Sequence, residues 1–209
     1  HAQFSVVEKS GPVSYANCGL PYFVGGVIER EEDLLLQTPD RLFDRFRLDV
    51  RVHSEVIAID AAARTVTVRV GAAGTAQHDD VIPYDQLVLS PGAVPGRPPI
   101  PGFDRVRVLR TVGDAAALAG DVDRQPATAV VIGAGFIGLE TAENLTHGGI
   151  EVTVVEAAPQ VLTPLDAELA IRVEEELQRH GVHVVVGAAV TEITDTEVVL
   201  GDGRRIPAE

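Results

Sequence analysis

A chain of 209 residues, 45% of them hydrophobic, can fill one large domain or two ordinary ones and is not disordered. Its formal net charge of −14 excludes a nucleic-acid surface, which needs clustered Lys and Arg, and no apolar run reaches the roughly 20 residues of a membrane helix. One cysteine excludes an internal disulfide, the six histidines show no ligand spacing for a metal, and no basic-then-apolar leader opens the chain. A cytoplasmic protein that binds neither nucleic acid nor membrane is the default expectation.

In chain order, "FSVVEK" (4–9) reads as a strand ending in Glu8. "SYANCGLPYFVGG" (14–26) follows and holds the only cysteine, Cys18, among turn formers and aromatics. Ser14 and Asn17 offer hydrogen bonds, Gly19 close approach, and Pro21, Tyr22 and Phe23 a channel wall. By composition alone a lone cysteine reads as a buried core residue, and a reactive one needs a partly exposed, polar or electropositive site. "LDVRVHSEVIAID" (48–60) and "TVTVRV" (65–70) are strands, and "YDQLVLSPG" (84–92) is expected to close their sheet. The Pro/Gly-rich "SPGAVPGRPPIPG" (90–102) reads as a covering loop and linker.

The strongest signal lies at 129–156, where strand, glycine loop, helix and strand follow within about 30 residues, the βαβ dinucleotide fingerprint. Gly133 permits the tight turn, Gly135 lets a pyrophosphate approach the backbone, and Gly138 lets helix and strand pack closely. The helix keeps Ile137, Thr141 and Leu145 on one face and ends at Gly148 and Gly149. Glu156, 23 residues after Gly133, closes the second strand, where a carboxylate can accept from ribose hydroxyls. A 2′-phosphate would meet like charge there, and "EAAP" offers no Lys or Arg, so NADH is favoured over NADPH. "DAELAIRVEEELQRHG" (166–181) is an amphipathic helix capped by Asp166 and stopped by Gly181.

The chain also repeats itself. "FSVVEK" matches "VTVVEA" (152–157), and Leu48, Val50, Val52, Val56 and Ile59 fall on Val182, Val184, Val186, Val190 and Ile193. Each copy continues into a short strand pair, the second with a turn at Asp202 and Gly203. Two similar nucleotide-binding halves explain this: an α/β fold of two Rossmann-like domains, each a parallel sheet with helices plus a small antiparallel β-meander. The expected division is 1–108 and 109–209. Both halves read as truncated, because a glycine loop for Glu8 would precede the first residue and the second half stops before its last strand.

"NCGLPY" after a strand ending in glutamate, "LVLSPGAVPGRPPIPG", and "VVIGAGFIGLETAENL" followed by "VTVVEAAPQVL" resemble the FAD-dependent pyridine nucleotide-disulfide oxidoreductases. The resemblance is closest to their coenzyme A-disulfide reductase, NADH oxidase and NADH peroxidase branch and covers essentially the whole chain. It implies that hydride passes from NADH to FAD and that two electrons then reduce an oxidised sulfur at Cys18, with Asn17 as its polar neighbour. It further implies that Glu8 holds the FAD ribose, that Gly133, Gly135, Ile137, Gly138 and Glu156 hold NADH, that Phe136 gates the nicotinamide and that Glu140 lines the pocket. The first 108 residues would then be a partial FAD-binding domain carrying the redox cysteine, and the remainder the NAD(H)-binding domain. The "NC-small-LPY" form points to a low-molecular-weight disulfide, persulfide or polysulfide such as coenzyme A disulfide. A sulfenic-acid oxidase or peroxidase is the alternative, and a nucleotide-binding module without turnover is another. A flavoprotein serving a ferredoxin-like partner would have no use for "NCGLPY". The resemblance also implies a homodimer, through a C-terminal domain beyond this chain.

Overall fold

The computed structural model describes residues 3–209, which form two compact units, one of 3–16 with 35–93 and one of 17–34 with 94–209. The chain therefore passes between units three times, and the segment holding Cys18 groups with the later half of the sequence.

In the first unit, β1 (Phe4–Val7) and β4 (Leu48–Arg51) pair in parallel, with Phe4 opposite Leu48. Parallel neighbours need a crossover. Here it contains the short antiparallel pair β2 (Ser14–Tyr15) and β3 (Leu35–Gln37), then helix α2 (Pro39–Phe46). Thr38 caps α2 by accepting the Arg41 N–H, Pro39 occupies its first position, and Arg47 ends it in the left-handed conformation. The strands β5 (Ser54–Asp60), β6 (Thr65–Val70) and β7 (His78–Pro83) form an antiparallel meander whose middle strand buries Val66 and Val68.

Residues 84–92 do not form the expected closing strand. Beyond the Tyr84 N–H, which donates to the Arg64 carbonyl, no described strand pairs with their N–H and C=O groups, so the run stays irregular, with Val88 and Leu89 exposed.

The second unit begins with α1 (Leu20–Val24) and resumes after the irregular 94–100 stretch with α3 (Val112–Val122). A parallel sheet in the order β10-β9-β8 follows, built from β8 (Thr128–Ile132), β9 (Glu151–Val155) and β10 (His183–Val185). Helix α4 (Phe136–His147) connects β8 to β9, and α5 (Ala167–Arg179) connects β9 to β10. β9 is central and buries Val152, Val154 and Val155, as a near-continuous apolar run in a parallel sheet should. The meander β11 (Val190–Ile193), β12 (Glu197–Leu200) and β13 (Arg205–Pro207) packs on it through Val155, Ala188, Val198 and Leu200.

Two local expectations need correction. The buried face of α4 is Leu139, Thr141, Ala142, Asn144 and Leu145, while Ile137, in its first turn, is exposed. Asp166 does stand at the N-cap of α5, but its side chain makes no capping hydrogen bond.

The internal repeat is present in the backbone. The Glu8 N–H donates to the Arg51 carbonyl and the Ser54 N–H to the Glu8 carbonyl. In the second unit the Glu156 N–H donates to Val185 and the Ala188 N–H to Glu156. His53 and Gly187, both left-handed, donate to Ser10 and Ala158 in the same way. Both units are thus strand, crossover helix, parallel strand and three-stranded meander.

Candidate dinucleotide and thiol site

The glycine loop runs from the end of β8 into α4. Gly133 has φ +101, a conformation that side-chain-bearing residues rarely adopt, and its N–H donates to the Val155 carbonyl at 2.8 Å, joining the loop to β9. A Cβ at Gly138 would sit 2.0 Å from the Gly133 carbonyl oxygen, so helix and loop touch backbone to backbone. A Cβ at Gly135 would meet nothing within 4 Å, leaving room for a ligand against the backbone. Helix α4 has no side-chain cap, so its first N–H groups and dipole are available to an anion. These features fit the pyrophosphate of a dinucleotide.

Glu156 stands where the spacing puts it, just after β9. Its Oε2 accepts the Ala134 N–H and its Oε1 the Ala158 N–H, both at 2.8 Å. The acid therefore also ties the glycine loop to the end of the second strand. Each carboxylate oxygen retains a further lone pair for a ribose hydroxyl. Phe136 and Ile137 are exposed at the loop, and Glu140 is half-buried one turn on.

Cys18 is an exposed free thiol in the turn Asn17–Gly19 that leads into α1. Gly19, Leu20, Pro21 and Val24 are buried and anchor that segment; Gly19 and Pro21 thus serve packing, while Tyr22 is exposed and Phe23 half-buried. α1 packs on α3 and on α4, where a Cβ at Gly25 would come within 2.5 Å of Asn144 Oδ1. The thiol's turn thus leads into a helix that packs on the one beginning at the glycine loop. Asn17 Oδ1 accepts from Arg110 Nη1 at 2.9 Å. No sequence signal couples these residues across 93 positions. The Arg110 backbone N–H donates in turn to Asp114, whose carboxylate closes a capping box with Thr111 at the start of α3.

Glu8 and Ser14 belong to the first unit. Glu8 follows β1 as Glu156 follows β9, and its Oε1 accepts both the N–H and the hydroxyl of Ser10, at 2.8 and 2.7 Å. Both glutamates therefore bind the N–H two residues on. Among the described residues no cluster of three or more His, Cys, Asp or Glu could hold a metal, and no helix is long and apolar enough to cross a membrane.

A glycine loop on a βαβ unit, a strand-end carboxylate, an exposed thiol and a repeated second unit define a nucleotide-dependent oxidoreductase fold. The chain belongs to the pyridine nucleotide-disulphide oxidoreductase family, whose profile matches residues 1–209; its members are flavin-dependent enzymes that use NAD(P)H. It is 33% identical over 205 residues to coenzyme A disulfide reductase of Staphylococcus haemolyticus, covering 97% of this chain and 45% of that protein. Among solved structures it resembles reduced Bacillus anthracis CoADR-RHD, with 41% identity, a TM-score of 0.91, and coverage of 98% of this chain and 37% of that one. It also resembles an NAD-dependent persulfide reductase from A. fulgidus, with 34% identity, a TM-score of 0.92, and coverage of 99% and 40%. The chain spans about half the length of the curated relatives it matches.

Proposed function

We propose that this chain forms part of a flavoprotein in which electrons from NADH pass by way of FAD to Cys18, which reduces a low-molecular-weight disulfide or persulfide of the coenzyme A type. The observation that carries the reading is an exposed, solitary thiol in the turn leading into α1, which packs on the helix that starts at the dinucleotide loop. The similarity to coenzyme A disulfide reductase and persulfide reductase supports the choice of substrate class.

In this reading the 133–138 loop and the first turn of α4 hold the NADH pyrophosphate, with Ile137 beside it, and Glu156 takes the ribose hydroxyls. Its negative charge, with no Lys or Arg in "EAAP", disfavours the 2′-phosphate of NADPH. Glu8 plays the matching part for FAD in a domain spanning 1–108, with NADH in 109–209. FAD, when bound, supplies the two-electron relay between nicotinamide and sulfur. Phe136, exposed and lightly packed, can turn aside for the nicotinamide, and Glu140 lines the same pocket. The Cys18 thiolate displaces one thiolate from a disulfide RS–SR and is left as Cys18–S–SR, with Asn17 as its polar neighbour. The two electrons that free the second thiolate originate in NADH.

The test is an anaerobic titration of the FAD-reconstituted chain with NADH, followed by coenzyme A disulfide, polysulfide and peroxide as oxidants. Bleaching of the flavin band, reoxidation by the sulfur compounds and loss of turnover in Cys18→Ser are expected. Equal turnover in Cys18→Ser overturns the reading. Preference for peroxide indicates a sulfenic-acid oxidase or peroxidase, and failure to take up FAD leaves a nucleotide-binding module.

A further inference from the structure

We propose that Leu162 is a positioning residue for the dinucleotide: held in the left-handed conformation, its main-chain N–H pins the Ala134 carbonyl and so aims the Gly135 N–H at the pyrophosphate. This rests on the reading of residues 133–138 as the loop that holds the NADH pyrophosphate.

Leu162 has φ +44, and of the five described non-glycine residues with positive φ it alone is buried. Left-handed backbone is uncommon for a branched apolar residue, and here the surroundings enforce it. Val161 is fully buried and Leu162 nearly so. The Leu162 carbonyl accepts the Leu165 N–H at 2.7 Å, and the Gln160 side-chain amide donates to the Leu165 carbonyl at 2.9 Å. In that conformation the Leu162 N–H donates to the Ala134 carbonyl at 2.9 Å, while Glu156 takes the Ala134 N–H at 2.8 Å. Ala134, itself buried, is thus fixed at both of its peptide groups.

The direction of the next N–H follows. In a trans peptide, such as the one joining Ala134 to Gly135, the C=O and the following N–H point opposite ways. With the Ala134 carbonyl turned toward Leu162, the Gly135 N–H is turned away from it. Gly135 is exposed, a Cβ on it would meet nothing within 4 Å, and its N–H has no acceptor among the described residues. A phosphate oxygen in that open space is the acceptor such an N–H fits.

The test is a titration of isotope-labelled protein with NADH, following the amide signals of residues 133–138, with affinity from NADH fluorescence and melting curves as the folding control. In the wild type the Gly135 amide proton is expected to move downfield on binding. Leu162→Ile keeps the side-chain volume but adds a β-branch that opposes positive φ. Its Gly135 shift should vanish and its NADH affinity fall about tenfold, the loss of one charge-assisted hydrogen bond. Leu162→Gly lacks the side chain yet adopts positive φ freely, so it should melt lower while keeping the Gly135 shift and an affinity within about threefold of wild type. A role through side-chain packing gives the reverse order of the two variants and overturns the inference. So does a wild-type Gly135 amide that stays in place while its loop neighbours move, a result that needs no variant to fold. NADH binding that leaves all of 133–138 unmoved overturns the reading of the loop itself.

Discussion

At single residues, the tightest constraint is Gly138. The atom an added methyl would strike is the Gly133 carbonyl, part of the backbone, so Gly138→Ala must move α4 or reshape the loop. A loss of about 1–3 kcal/mol in stability and at least about tenfold in NADH affinity is expected, read by denaturant unfolding and fluorescence titration. Gly135→Ala is the control with the opposite split: space around it is open, so stability should hold while NADH binding falls. NADH affinity equal to wild type in Gly138→Ala would show that the loop tolerates displacement. Glu156→Gln carries a separate expectation. One oxygen that accepts from Ala134 or Ala158 becomes an amide donor facing an N–H, which costs about 1–3 kcal/mol. A melting point unchanged in this variant would mean that the carboxylate's ties to the loop carry no stability. The spacing of Glu156 from Gly133 was legible in the sequence. Its bonds to Ala134 and Ala158 were not, because spacing locates a residue along the chain and leaves the direction of neighbouring N–H groups open.

At the level of elements, periodic patterns were legible and long-range partners were not. The β8-α4-β9 fingerprint, the extent of α5 and the repeated strands follow from local apolar spacing and glycine stops. The run 84–92 misled because β propensity describes a residue's fit to a pleated surface, and a strand forms only where a neighbour completes its ladder. Arg110 was invisible for a related reason, since its contact with Asn17 depends on how α3 and α1 pack. α3 also carries a pH-sensitive tie. Asp121 lies between Arg107 and Arg124, and hydrogen bonding from Arg107 first, then from Arg124, holds its carboxyl below the usual carboxylate range against an opposing desolvation. A depressed folded-state value stabilises the fold above the ordinary carboxylate range, and this is lost as pH falls through the lower folded value. Acid unfolding of wild type should therefore be steeper below about pH 4 than that of Asp121→Asn, whose loss at neutral pH should stay under about 1 kcal/mol because the arginines are exposed. Identical acid profiles for the two proteins would remove Asp121 from the account.

Across the molecule, the two copies of one plan are unequally filled. Val66 and Val68 are the buried hydrophobic residues of the first unit among those described, whereas the second buries one face of α4, most of β9, and Val198 and Leu200 of β12. The first unit instead exposes Phe4, Ile59, Val81, Val88 and Leu89. Since opening free energy follows buried apolar contact, amide exchange should be slowest in β8, β9 and α4 and orders of magnitude faster in β1, β4 and β5. Within the first unit, β6 should hold out longest, because it is paired on both sides and carries both buried valines. Uniform protection across β1, β4 and β9 would mean that the chain opens as one cooperative body and that burial within each unit does not set its stability. Ligands sharpen the comparison, because a molecule that binds only the folded state adds protection where it binds. NADH should therefore slow exchange at residues 133–138 and in the first turn of α4, and FAD should slow it around β1 and Glu8. Protection by NADH without protection by FAD would assign this chain a nucleotide-binding role while leaving electron transfer to Cys18 unsupported in it, a distinction that turnover measurements alone do not provide.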